Sequence, residues 1–389
     1  MTRSRGLGDV YKRQLSYLVP HLNYAASDSR ARYFQIRGIG ERSGYQGTPN
    51  SSVGFLIDDI DYSGQGGIAT LFDVEQVEVF RGPQGSRTGA NALAGLIYIK
   101  TKDPTEQFEG LSEITIGDYG TQNLGIAFGG PTKNEKVKYR FVVRTDYADG
   151  FRKNIFLNQS DTSKKDELTI RYKLNWDISE TTDVNFLLSK VDMDDPADIW
   201  TIDGSLNTLS DRPGMDSQET DSVGIKLLKN FNHFDLQSFT SFTKTDVVFS
   251  YDADWGNPDS HFPYIYDYFS ETFRKRDTFS QEIRFLSNNI NFSEENPFEW
   301  IFGFHLSELE ETNLTRDDGA YGDPSDPFGP YVSESIILRN YEAENFSLFG
   351  NIDYFISDNL KLALGLRWEN WNSKYNDSNN ESFNPSDNM

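Results

Sequence analysis

The sequence predicts a mainly β protein: a transmembrane antiparallel β-barrel, present in part, preceded by a small α+β N-terminal unit. Three observations carry this. From about Gly110 onward, apolar residues alternate with polar ones over long stretches, and the polar face bears charges of both signs, so it is not a dry core. The connections between these stretches alternate between short and long, as they do in outer-membrane barrels. Aromatic residues make up 14% of the chain, as 29 Phe, 20 Tyr and 6 Trp. No apolar run reaches the roughly 18 residues of a membrane-spanning helix.

Composition narrows the chemistry. Among 389 residues, 37 Lys and Arg face 60 Asp and Glu, a net charge of −23. A phosphate-backbone binder needs clustered positive charge, so no nucleic-acid partner is expected. The absence of cysteine excludes disulfides, thiolate-bound zinc and thiol catalysis. The four histidines (His21, His233, His261, His305) are far apart in sequence, so neither a metal site nor a cofactor is expected.

Taken in order, Asp9-Val10-Tyr11-Lys12-Arg13-Gln14 reads back as GAT GTG TAT AAG AGA CAG, which resembles a transposon end used as a sequencing adapter. Residues 1–14 are therefore expected to be a non-native scar, to be set aside in reasoning about the fold. Residues 15–108 are glycine-rich with short apolar runs, such as Tyr33 to Gly38, Val53 to Asp58, Val74 to Phe80 and Leu93 to Ile99. They read as short strands with tight turns and one or two helical turns near Ile68–Phe72.

In 109–389 the alternation gives about 11 candidate strands. Leu168, Ile170, Tyr172, Leu174 and Trp176 form one apolar face; Leu360, Leu362, Leu364, Leu366 and Trp368 form another. The last strands are placed at 271–288, 297–312, 340–356 and 360–373, with long loops at 150–165, 194–218, 252–270 and 313–339. A soluble sandwich is the competing architecture. Its strands usually run about 3–10 residues, and stretches this long fit it poorly.

The string Phe72 to Lys102, containing Arg81-Gly82-Pro83-Gln84-Gly85-Ser86-Arg87-Thr88-Gly89 and Gly95, resembles the plug domain of TonB-dependent outer-membrane receptors. So do Gln35-Ile36-Arg37-Gly38, Phe55-Leu56-Ile57-Asp58-Asp59 and, in the barrel, Phe279 to Phe285. Thr88 and Ala94 depart from the family's usual turn residues. Physically, Pro83 and Gly82 force a sharp reversal, and none of the glycines is followed directly by Lys-Ser or Lys-Thr as a phosphate loop requires.

The resemblance implies an N-terminally truncated plug at 15–108. It is followed at 109–389 by the first half of a barrel of roughly 22 strands, truncated at its C-terminus. It also implies a bacterial outer-membrane location with lipid around the barrel. The implied partner is a TonB-ExbB-ExbD energy-coupling complex, whose contact peptide would lie before this chain. The expected activity is import of a scarce ligand, a ferric siderophore first, with cobalamin or an oligosaccharide as the alternative and a passive porin or structural barrel as the reading from another class. No enzymatic role is expected, since no carboxylate pair comes with a histidine or serine in a recognisable arrangement.

Arg37 and Arg81 are expected to pair across the plug–barrel boundary with Glu282. Long-loop and plug-apex aromatics (Tyr45, Tyr62, Trp200, Trp255, Tyr264, Tyr266) are the candidates for facing the ligand.

Overall fold

The computed structural model describes residues 19–25, 33–41, 51–83, 93–288, 298–357 and 360–385. The first six strands are short: β1 (Leu22–Ala25), β2 (Tyr33–Ile36), β3 (Val53–Ile57), β4 (Ile60–Asp61), β5 (Val74–Arg81) and β6 (Gly95–Thr101). β1 and β2 pair with each other, while the other four form a sheet in the order β4-β3-β6-β5. β3 and β6 run parallel, which requires a crossover. The chain makes it through β4, a 3₁₀ turn at Gly66–Ile68 and β5. The helical turn falls earlier than the sequence suggested. Gly95 opens β6 at φ +155°, where an added Cβ would lie 2.3 Å from the Phe80 carbonyl oxygen and 2.6 Å from Ile36 Cδ1, so only glycine fits without strain.

Thirteen further strands follow: β7 (Glu109–Ile116), β8 (Gln122–Pro131), β9 (Val137–Ala148), β10 (Lys153–Asn154), β11 (Lys165–Ser179), β12 (Thr182–Ala197), β13 (Asn207–Thr208), β14 (Gly214–Asn230), β15 (Phe234–Asp252), β16 (Ile265–Ser287), β17 (Phe298–Gly322), β18 (Tyr331–Ser357) and β19 (Leu360–Pro385). Eleven of them form one antiparallel meander from β7 to β19, each strand beside its neighbour in sequence, with β10 and β13 pairing separately within the loops. Among the described residues, β7 and β19 remain the two edges of an unclosed sheet.

The strand count agrees with the alternation, but the bounds of the later strands do not. β16 starts at 265 rather than 271, β17 runs to 322 rather than 312, β18 begins at 331 rather than 340, and β19 runs to 385 rather than 373. The hydrogen-bonded ladder persists past the membrane, where no apolar face is needed. The periodicity that marks a strand in sequence therefore fades before the strand ends.

The wall has the opposite polarity to a soluble sheet. On β11, Thr169, Arg171 and Lys173 are buried, whereas Trp176 on the alternate face is exposed. Leu188 of β12, Ile225 of β14 and Phe242 of β15 are 49%, 41% and 56% exposed, while Arg140 of β9 is 2% exposed. Apolar flanks turned outward over a buried ionic face suit hydrocarbon outside and a polar bore within. The first unit lies in that bore. Phe34 stacks on Phe55 at 5.5 Å, and this cluster continues through Ile97 and Ile99 onto Leu187, Val191 and Met193 of β12.

Candidate functional site

The surface between the N-terminal unit and the wall is built on three aspartates. Asp58 and Asp59 form the β3–β4 turn and Asp73 precedes β5; their φ angles are +50°, +72° and +59°. Aspartate tolerates this left-handed region better than most residues, and each turn projects a carboxylate from the end of a strand. Asp73, with no exposed side-chain surface, accepts from Arg140 Nε at 2.7 Å and Nη2 at 2.5 Å. Arg171 of β11 reaches Asp73 at 3.7 Å and donates to the carbonyls of Phe72 and Asp73. Arg140 also holds Glu109 at 2.8 Å.

Asp58 accepts from Thr101 N and Oγ1, then pairs with Lys173 at 3.0 Å; Lys173 also binds Asp103 and the Thr101 carbonyl. Asp59 pairs with Lys226 of β14 at 2.8 Å. Inward positions of the wall therefore carry cations, and the inserted unit carries the carboxylates. Glycine makes room beside them: a Cβ on Gly125 of β8 would lie 2.6 Å from the Phe72 ring.

Beyond Lys226 the two parts separate. A cleft lies between the Asp59–Gln65 edge and the inner faces of β14 to β19, with Thr278, Glu282, His305 and Asn345 on its wall. Wall charges there pair within the wall, Arg276 with Glu311 at 2.6 Å and Arg284 with Glu282. Among the described residues, hydrogen bonds cross the cleft from Arg276 Nη1 to the Ser63 carbonyl at 3.1 Å and from Thr245 Oγ1 to Gln65 at 3.0 Å.

At the far end of the bore the loops are tied down by buried polar groups. Asp198 accepts from Asn154 at 3.0 Å, Thr208 at 2.6 Å and Ser210 at 2.5 Å. Outside the membrane band, Asp252 is buried at the tip of β15. Burial first, then the neighbouring Asp254 charge, pushes its carboxyl up to about 8. Arg212 forms two hydrogen bonds with Asp318, at 2.5 and 2.9 Å, and lies 4.3 Å over the Phe269 ring.

The residues expected from sequence are distributed unevenly over this surface. Glu282 lines the cleft. Arg37 and Arg81 are exposed and are not among the cleft's residues. Arg37 is at φ +55°, and its backbone N–H donates to His21. Among the described residues, ion pairs that cross the boundary join carboxylates of the inserted unit to cations of the wall, at Asp73–Arg140, Asp58–Lys173 and Asp59–Lys226. Gly38 and Gly82 take φ +81° and +109°, as the turn reading requires, and Pro83 follows Gly82 on the surface. Gly85, Gly89 and Tyr45 lie outside the described residues.

Tyr62 is 3% exposed and packs in the interior cluster, so it does not face the outer end. Its placement follows from the turn before it, which aims Tyr62 back toward Phe55, whose carbonyl accepts its N–H. Trp200 packs on Tyr251 at 5.3 Å. Trp255, Tyr264 and Tyr266 are exposed, Tyr266 on β16 rather than in a loop. Asp58, Asp59, Asp73, Arg140, Arg171, Lys173 and Gly125 were not singled out from sequence. The available signal was a lone charge at an inward strand position whose neighbours face lipid.

Residues 9–96 match the family model described as the TonB-dependent Receptor Plug Domain. Over these residues the chain carries the plug domain of the TonB-dependent receptors. It is 27% identical over 154 residues to the vitamin B12 transporter BtuB of Vibrio vulnificus, a stretch covering 36% of this chain and 25% of that protein. It is 26% identical over 125 residues to the ferripyoverdine receptor of Pseudomonas aeruginosa, covering 32% and 15%. In structure it resembles the ferric yersiniabactin uptake receptor FyuA from Yersinia pestis, with a TM-score of 0.74 and 17% identity over 95% of this chain and 57% of that one. That last likeness bears on the fold alone. The matches span a quarter or less of the two curated relatives. As a TonB-dependent receptor, this is an outer-membrane protein whose inserted unit is the plug and whose meander is part of the barrel wall.

Proposed function

We propose that this receptor imports a scarce ligand across the outer membrane, driven through TonB with ExbB and ExbD, and that a ferric siderophore is the ligand class. In this reading residues 15–108 act as the plug and 109–389 as barrel wall. The observation that carries it is the plug's seat: a polar bore filled by a unit held through reversible ion pairs, at Asp73–Arg140 and Asp58–Lys173. A passive porin has no use for such a stopper. Work drawn from the inner-membrane proton gradient would shift the plug, and TonB would recruit its peptide by adding a strand. The relatives matched are transporters and receptors, and no catalytic step is assigned.

The test is uptake of ⁵⁵Fe-siderophores by iron-starved cells carrying the full-length gene, with and without a protonophore. Uptake that needs the gradient supports the proposal; uptake that persists without it favours a porin. A second reading, cobalamin import, is favoured by the likeness to the vitamin B12 transporter. Gradient-dependent uptake of ⁵⁷Co-cyanocobalamin, with none of iron, would select it.

A further inference from the structure

In a chain of net charge −23, one part of the bore face above the membrane gathers positive charge. On β18 the outward residues Phe346 and Leu348 give way to Glu344, Glu342 and Asn340, all exposed, so this stretch lies beyond the lipid-facing band. Arg339 shares the inward face with the buried Tyr341 and Ala343. Its neighbour across the sheet is Asn313 of β17, which in turn faces Arg274 of β16; Arg276 and Glu311 stand one step nearer the membrane. Glu311 pairs with Arg274 at 3.4 Å and with Arg276 at 2.6 Å. Three guanidinium groups and one carboxylate thus occupy adjoining inward positions of β16 to β18. Elsewhere on the bore face, Arg140, Arg144, Arg284 and Arg367 are each paired with a different carboxylate.

Among the described residues Arg339 has no ion pair, although the exposed Asp377 lies opposite it on β19. Its Nη1 donates to Thr315 Oγ1 at 3.0 Å, and Thr315 donates in turn to Asn313 Oδ1 at 3.3 Å, a chain that holds the guanidinium in place. The plug stretches 42–50 and 84–92 contain no aspartate or glutamate, so they bring no counter-charge. A half-buried guanidinium with donors to spare gains from an anion, and its planar fork matches a carboxylate through two parallel hydrogen bonds. We propose that Arg339 receives an anionic oxygen group of the ligand, and that the ligand is a negatively charged, carboxylate-bearing iron chelate rather than a neutral one. The anion site is a property of the wall; its use by an imported chelate rests on the import reading above.

Phenylglyoxal, which modifies accessible guanidinium groups, tests the site on the full-length receptor in detergent, without transport. Citrate is the probe, compared with chloride at equal ionic strength, and mass spectrometry reads each arginine. Citrate is expected to slow modification of Arg339 by about fivefold or more, and to leave Arg316, exposed on the outward face of β17, within about twofold. Equal modification of Arg339 with and without citrate would overturn the site. In iron-starved cells, Arg339→Gln keeps a donor for Thr315 but no charge. It should lower gradient-dependent ⁵⁵Fe-citrate uptake by roughly tenfold or more through a raised KM, with Arg339→Lys in between. Unchanged ⁵⁵Fe-citrate uptake in Arg339→Gln refutes the ligand assignment. So does gradient-dependent uptake of the neutral chelate ⁵⁵Fe-ferrichrome that Arg339→Gln does not alter, and that result leaves the import reading intact. Protection by citrate, with no gradient-dependent uptake of either chelate, supports the site and counts against the import reading.

Discussion

Replacing Arg140 with alanine is the sharpest probe of the plug's seat. The substitution removes two hydrogen bonds to Asp73, at 2.7 and 2.5 Å, and leaves that carboxylate buried. Breaking a buried pair from one side costs about 3–5 kcal/mol. Arg171 stays 3.7 Å from Asp73 and offsets part of the loss, which places the expected cost near the lower bound, about 3 kcal/mol. Glu109 is half-exposed and adds little when its partner goes. At 1.36 kcal/mol per decade, the open fraction of the plug rises roughly 100-fold. Limited proteolysis of the full-length receptor under native conditions reads that fraction, because cleavage within the plug requires opening when reclosure is fast. The double substitution Asp73→Leu with Arg140→Met, which removes both charges, should recover most of the loss. A change below about tenfold for Arg140→Ala, or a double variant worse than the single one, would refute the claim that this pair seats the plug.

Three further outcomes follow from the same geometry. Gly125→Ala puts a methyl 2.6 Å from the Phe72 ring and should destabilise the plug's seat by about 1–3 kcal/mol, partly rescued by Phe72→Leu, as read by the same proteolysis. Leu188, half-exposed on the outward face of β12, should cost about 2–4 kcal/mol as arginine in urea-dependent folding of the full-length receptor into lipid vesicles if it lies near mid-bilayer; a cost near zero would place that face out of the lipid. Asp252 has a folded pKa of about 8, above its ordinary value near 4. The folded loop therefore binds the proton more tightly than the unfolded chain. Its stabilising contribution is complete below about pH 4 and is lost as pH rises to about 8. Exchange of the 253–264 amides should quicken across that window, and Asp252→Asn should flatten the dependence.

Much of this fold is legible in the sequence. The alternation on β11 and β19 identifies the wall, and the glycines of the Arg81–Gly95 stretch identify the plug. Both signals are local, set by a period of two or by a backbone angle that few residues reach. The plug's partners are not local. Asp73 and Arg140 are 67 residues apart, and the pairing depends on which wall strand the plug rests against, which no single strand encodes. Arg37 and Arg81 looked equally suitable for that contact, because an arginine's charge says nothing about where its turn points. Tyr62 misled for a related reason: aromatic residues in a glycine-rich apex suit a ligand or a core equally well, and the turn at Asp58–Asp59 directs this one to the core. Strand ends beyond the bilayer were missed because the alternation there no longer separates lipid from water.

The strands of the wall lengthen along the sheet, from 8 residues in β7 to 27 in β18. At roughly 3.3 Å per residue that is a contour growing from about 26 to about 90 Å. The short turns, such as 179–182, 230–234 and 357–360, keep one margin nearly level, so the extra length rises at the other. Among the described strands that margin therefore slopes, lowest at β7 and highest at β18.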